Sequence, residues 1–223
     1  MVFGLLAYLL WGLFPAFFPL LLPAGPVEIL AHRIVWTAVL MVLVLTALKG
    51  WGELRRASRR TWLLLVTAGV LISANWGIYV LAVNSGHVAD AALGYFINPL
   101  LSVLLAVVFL GERLNRMQLV AVGIATLGVL QLTFLSGQAP VMALGMAITF
   151  GFYGLVKKRV QVSPRASLTA ETLVIAPLGI VYLVWLESTG QGTFFSEGPV
   201  HTTLLVVSGL VTTAPLLLFG MAA

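Results

Sequence analysis

The chain has no cysteine, so it carries no disulfide framework, no thiol nucleophile and no cysteine metal site. It is also poor in charge: Asp, Glu, Lys and Arg make up 9% of its 223 residues, where a soluble domain carries roughly 25%. Its histidines, His32, His87 and His201, are scattered without metal-ligand spacing. There is no HExxH, no GxGxxG followed by an acid and no GxxxxGK[ST] phosphate loop. No polar stretch could house an ATPase, so transport by this chain would not be powered by its own nucleotide hydrolysis. No metal and no cofactor is expected.

What is present is apolar sequence. Hydrophobic residues make up 61% of the chain and the mean hydropathy is +1.09, which together mark an all-α integral membrane protein with the lipid bilayer as its first partner. The net charge of +5 does not imply nucleic acid, because the basic residues sit in short loops between apolar runs. The start, MVFGLLAYLLWGLFP, has no basic head and no small-residue cleavage site, and reads as a retained helix rather than a signal peptide. Its apolar run begins almost at Met1, so a short polar head is expected ahead of it.

The stretch from Asp90 to Arg116 shows the design. From Ala91 to Leu110 no side chain is charged, and twenty helical residues span about 30 Å, the thickness of a bilayer core. Asn98-Pro99 lies in the middle. Proline removes a backbone donor and crowds the carbonyl of Tyr95, so this face should look into protein or a cavity rather than lipid. Gly111 stops the helix, and Glu112 and Arg116, four apart, could pair if the helix resumes there.

Eight such segments are expected, about 3–22, 27–48, 61–83, 90–110, 117–135, 141–157, 166–187 and 200–222. Eleven of the twelve Lys and Arg residues fall in three alternate loops, 49–60, 111–116 and 157–165; the twelfth is Arg33. The intervening loops have none. The positive-inside rule then places the basic loops and the N-terminus in the cytoplasm and the bare loops outside. A weak internal repeat is visible at an offset of 139, with WGLFP at Trp11–Pro15 over FGFYG at Phe150–Gly154. If the sixth segment repeats the first, each repeat has five segments. The second copy is then inverted in the membrane, as the reversed loop charges also indicate. On this reading 1–136 is one repeat and 137–223 an incomplete second, lacking its last two helices.

The segment opening PVEILAHRIVW carries the densest ionisable cluster. Glu28 and His32 share a face, and Arg33 lies about 140° round from Glu28 and about 10 Å in from the helix end. Arg33 either snorkels outward to pair with Glu28 or Asp90, or faces a solute. His32 either titrates or packs through hydrogen bonds. In SANWGIYVLAVNSGH, Asn75 and Tyr79 share a face, and Trp76 either stacks on a ligand or packs. Glu171, about four residues inside its segment, either exchanges protons or caps a neighbouring helix N-terminus. Pro15, Pro19, Pro177 and Pro215 mark further kinks beside Pro99. The candidate cavity-lining residues are therefore Glu28, His32, Arg33, Asn75, Trp76, Tyr79, Tyr95, Asn98 and Glu171, with kinks at Pro15, Pro99 and Pro177.

EILAHRIVW at 28–36, NWGIYVLAVNSGH at 75–87, LGYFINPLLSVLLAVVFLGERL at 93–114 and FGFYGLVKKRV at 150–160 resemble the RarD branch of the EamA family, in the drug/metabolite transporter superfamily. The resemblance continues through LTAETL and GLVTTAPLLLFGMAA, over nearly the whole chain. It implies a ten-helix inner-membrane permease built from two five-helix repeats. It also implies a lysine late in the first segment, where this chain has Phe18-Pro19. The expectation is a secondary transporter of the cytoplasmic membrane, not an enzyme, that moves a small organic solute or drug by alternating access through a cavity lined by the first, third, fourth, sixth and eighth segments. Proton coupling and a homodimer are compatible with this pattern. The rivals are an intramembrane enzyme, for which no nucleophile–base pairing is readable, and a non-transporting membrane fragment.

Overall fold

The structure is a computed structural model and describes residues 2–136 and 140–222. Among these residues all regular structure is helical. The first apolar rod is α1 (Val2–Gly12), α2 (Phe14–Phe17) and a 310 turn (Phe18–Leu21) in succession. It breaks at Leu13, where Pro15 enters the first turn of α2; a proline there lacks only an N–H that would have no intrahelical partner. Then come α3 (Pro26–Ala47), the short α4 (Trp51–Arg55), α5 (Arg59–Asn84), α6 (Val88–Leu110), α7 (Arg116–Ser136), α8 (Val141–Lys157), α9 (Pro164–Ser188) and α10 (Gly198–Ala222).

The local chemistry explains the ends. The Ser58 hydroxyl accepts the Thr61 amide at 3.1 Å to start α5, and Ser163 does the same for the Ala166 amide ahead of Pro164. Gly111 closes α6 in the left-handed region, at φ 68°. The eight expected segments coincide with these helices to within two residues at each end. Seven are long and apolar enough to cross a bilayer, and α8 is a shorter apolar helix of 17 residues. The chain is a multi-pass membrane protein. α6 and α9 continue through Pro99 and Pro177, and α10 through Pro215.

One pairing differs from the sequence reading. Helix does not resume until Arg116, so Glu112 is not one turn away on the same helix. It instead accepts from Lys158 across the loops at 3.4 Å. Both side chains are more than half exposed, where such a pair contributes little.

Helix association in lipid depends on close packing rather than on expelling water. α3 and α9 pack along each other at the centre, α10 lies on α3, and α5 lies on α8 and α9. α6 packs on α8, α1 on α10, and α7 chiefly on α6 at the periphery. Two glycines set the closest approaches. A Cβ on Gly69 would stand 2.7 Å from the Glu171 carbonyl oxygen, and one on Gly209 would stand 2.5 Å from Trp36 Cβ. Neither partner is the mobile end of a side chain, so only glycine allows these crossings. At the basic-loop end, Leu45, Leu54, Leu65, Ala166 and Ala170 form a separate small core. Glu53 of α4 ties it to α9 by accepting the Ser163 amide at 2.7 Å and its hydroxyl at 3.0 Å.

Candidate functional site

Three cavities share walls within the bundle. At the basic-loop end, one of about 490 Å³ is lined by α6, α8, α9 and α10, with Tyr153, Lys157, Ser167, Leu216 and Phe219 on its wall. Between the first rod and α5 and α6 is one of about 320 Å³, lined by Tyr8, Trp11, Pro15, Tyr79, Tyr95 and Phe96 among others. A void of only about 20 Å³ lies between them, sharing Trp11, Tyr79 and Tyr95 with one and Leu216 with the other. The outer two fall in the size range of small-molecule sites; the middle one is a constriction with room for about one water.

Arg33 stands at this constriction. It is 1% exposed. Its Nε donates to the Thr212 hydroxyl at 2.9 Å, and its Nη1 is buried with no hydrogen-bond partner. Its guanidinium carbon sits 4.7 Å from the Phe18 ring centre, 5.1 Å from Trp76 and 5.8 Å from Phe14. Among the described residues it makes no ion pair. Of the two carboxylates that the sequence offered as partners, Glu28 and Asp90, neither pairs with it, and Glu28 is engaged elsewhere. It is buried and accepts the Thr193 amide at 2.8 Å and the Thr193 hydroxyl at 3.0 Å, and that hydroxyl lies 2.9 Å from His201 Nε2. The 140° separation read from the sequence is the reason. Glu28 points to the loop between α9 and α10, while Arg33 points into the bundle.

The third segment supplies the largest share of the remaining wall. Trp76 lies beside Arg33, and Tyr79 contacts the rings of Phe14, Phe18 and Tyr95 at 5.6–6.1 Å, its hydroxyl buried and unpartnered. Asn75 lines the void, but its amide donates to the Met146 carbonyl at 2.9 Å and the Thr149 hydroxyl at 3.1 Å, bracing α5 to α8.

The other candidates lie apart from the constriction. His32 stacks on Phe194 with ring centres 4.8 Å apart, and neither ring nitrogen has a partner. Asn98 is buried with its Oδ1 unpartnered and lines none of the three cavities. Glu171 is fully buried near the basic-loop end. It receives Lys157 Nζ at 2.7 Å, the Tyr153 hydroxyl at 3.1 Å and a short bond from Ser167 Oγ. Its partner is thus a lysine side chain, and three donors surround its carboxylate. Sequence reasoning did not single out Lys157, Phe14 or Thr212, and noted Phe18 only as standing where the resemblance implies a lysine; each lies in a run whose composition gives no sign of a distant partner.

Comparison with known proteins agrees with this architecture. A sequence profile of the EamA-like transporter family matches residues 1–134. Protein RarD of Streptomyces exfoliatus is 48% identical over the whole chain, which spans 71% of that relative. An uncharacterized transporter of Vibrio cholerae is 42% identical over 97% of the chain and 72% of the relative. Protein RarD of Escherichia coli strain K12 is 39% identical over 99% of the chain and 75% of the relative. No solved structure matches the chain.

Proposed function

Because the chain belongs to the EamA-like transporter family, in its RarD branch, we propose that it is a permease of the cytoplasmic membrane. It moves a small organic solute by alternating access, and the solute meets Arg33 at the constriction between the two larger cavities. The observation that carries this reading is a buried arginine without a carboxylate partner at a small void between two larger cavities. An ionised group is expensive within a membrane span, and one without a counter-ion marks a solute or ion path. A solute can drive the cycle only by binding the two access states differently, and a charge at the point where access changes supplies that difference.

The proposed inverted repeat, 1–136 over 137–223, draws support from the packing. An exchange of α1 with α8, α3 with α9 and α5 with α10 maps the α5–α8 contact onto α10–α1 and the α3–α10 contact onto α9–α5. It leaves α3–α9 as a self-related pair. The two glycine crossings, Gly69 on α9 and Gly209 on α3, exchange in the same way. Such symmetry suits two halves that rock about a central site. The basic loops face the cytoplasm in this reading, so a periplasm-active reporter is expected to work after Gly192 and to be silent after Arg60.

The deciding experiment is flux of small organic solutes into vesicles bearing the chain, with and without an imposed proton gradient. Saturable uptake above protein-free vesicles is expected. Chemical consumption of the solute without vectorial movement would replace the permease by an enzyme, and binding without movement would leave a non-transporting membrane protein.

A further inference from the structure

We propose that the solute is a small organic anion, a carboxylate on a flat apolar body, and that Arg33 is both its anchor and the point at which cations are refused. This rests on the permease reading and names its substrate class.

Arginine keeps its charge under all ordinary conditions, so the constriction carries a permanent positive charge. Its surroundings do not neutralise it. Phe14, Phe18 and Trp76 offer ring faces, and Thr212 offers one hydroxyl oxygen. Ring faces attract a cation but accept its N–H groups only weakly. Lys157, by contrast, is held by Glu171, and Glu28 is held by Thr193. Among the described residues the cation at the constriction, fully buried, has no carboxylate partner.

A second unsatisfied donor lines the same void. The Tyr79 hydroxyl is buried without a partner, as is Arg33 Nη1. Two donors without acceptors at one void fit a missing acceptor, and a carboxylate takes both kinds of bond, the one from arginine being charge-assisted. A cation brought to the same point meets like charge in a medium that screens it poorly; rings of Lys and Arg select anions in pores for this reason. The apolar body follows from the adjoining wall of Tyr8, Trp11, Pro15, Tyr95 and Phe96 around about 320 Å³, which suits one ring system. The void at Arg33 holds only about 20 Å³, so the anion reaches the guanidinium when the constriction widens during the cycle.

The test is a charge series of matched shape. Phenylacetate, phenylacetamide and phenethylamine are titrated into the purified chain by calorimetry. Phenylacetate is expected to bind at least tenfold more tightly than the amide, and the amine not at all. In Arg33→Gln the preference for the carboxylate falls to within twofold, while Arg33→Lys keeps a reduced preference. Tyr79→Phe, which leaves the arginine in place, weakens phenylacetate several-fold and keeps its preference over the amine. Equal or absent binding across the wild-type series overturns the proposal, as does a carboxylate preference that survives in folded Arg33→Gln. The same probes in vesicles separate the two readings. Phenylacetate that binds without crossing removes the permease and leaves the anion site, whereas saturable flux of the amide or amine without carboxylate preference removes the anion site and leaves the permease.

Discussion

Lys157 and Arg33 are both basic side chains drawn into the bundle. Lys157 meets Glu171 at 2.7 Å, and Ser167 and Tyr153 complete the shell of that carboxylate. Arg33, deeper and 1% exposed, has one threonine hydroxyl and three ring faces. The first arrangement is closed: each charge has its partner inside the protein, and it joins α8 to α9 where the basic loops begin. The second has no carboxylate partner among the described residues. Under the proposed function the first charge holds the structure together and the second serves what passes it, and stability and transport are predicted to respond oppositely at the two places.

The largest stability effect is expected at the closed pair. Lys157→Met leaves Glu171, which is fully buried, without a counter-ion, at a cost of about 3–5 kcal/mol. The double change Lys157→Met with Glu171→Leu should recover most of it, because apolar replacement of a whole buried pair is often neutral. Thermal unfolding of the three proteins checks this, and a double mutant no better than the single would mean that the carboxylate serves something other than the lysine.

Next in size are the glycine crossings. Gly209→Ala places a methyl 2.5 Å from Trp36 Cβ and should cost about 1–3 kcal/mol by overpacking. It does so through the α3–α10 contact that carries Arg33, so transport should fall with stability. Smaller again is Asn75→Leu, which removes two interhelical hydrogen bonds; such bonds in membranes average about 0.6 kcal/mol and reach about 1.7. The smallest effect sharpens the comparison most. Since Glu28 is engaged with Thr193 and not with Arg33, Glu28→Gln and Arg33→Leu should add, with a coupling below about 0.5 kcal/mol. A larger coupling in thermal unfolding would restore the ion pair that the sequence spacing suggested.

Much of the fold is legible in the sequence because its signals are local. Uncharged runs bounded by Gly111, by serine caps and by basic loops place each helix end within two residues. The site is legible only in part. Arg33, Trp76, Tyr79 and Tyr95 stand out as polar or aromatic residues in apolar runs, and all line the constriction. Asn75 stands out for the same reason, yet its donors are taken up in bracing α8. The partners are what the sequence hides. Lys157 reads as one more cation of a basic loop until the last turn of α8 turns it toward Glu171. Phe18 and Thr212 meet Arg33 across 15 and 179 residues of chain, and no periodicity within a helix encodes which neighbour lies across it. Composition marks that a charge is buried, but whether it is paired there depends on helix packing.

The most direct test of the account measures flux and unfolding temperature together for Arg33→Leu and for the double change Lys157→Met with Glu171→Leu, all reconstituted in the same vesicles. The account predicts that Arg33→Leu remains folded, with an unfolding temperature close to wild type, and that its carrier-mediated flux is lost, while the double variant transports within about threefold of wild type, a factor that corresponds to less than about 1 kcal/mol. Wild-type flux in Arg33→Leu together with loss of flux in a folded double variant would contradict it, and would move the functional charge from the constriction to the pair.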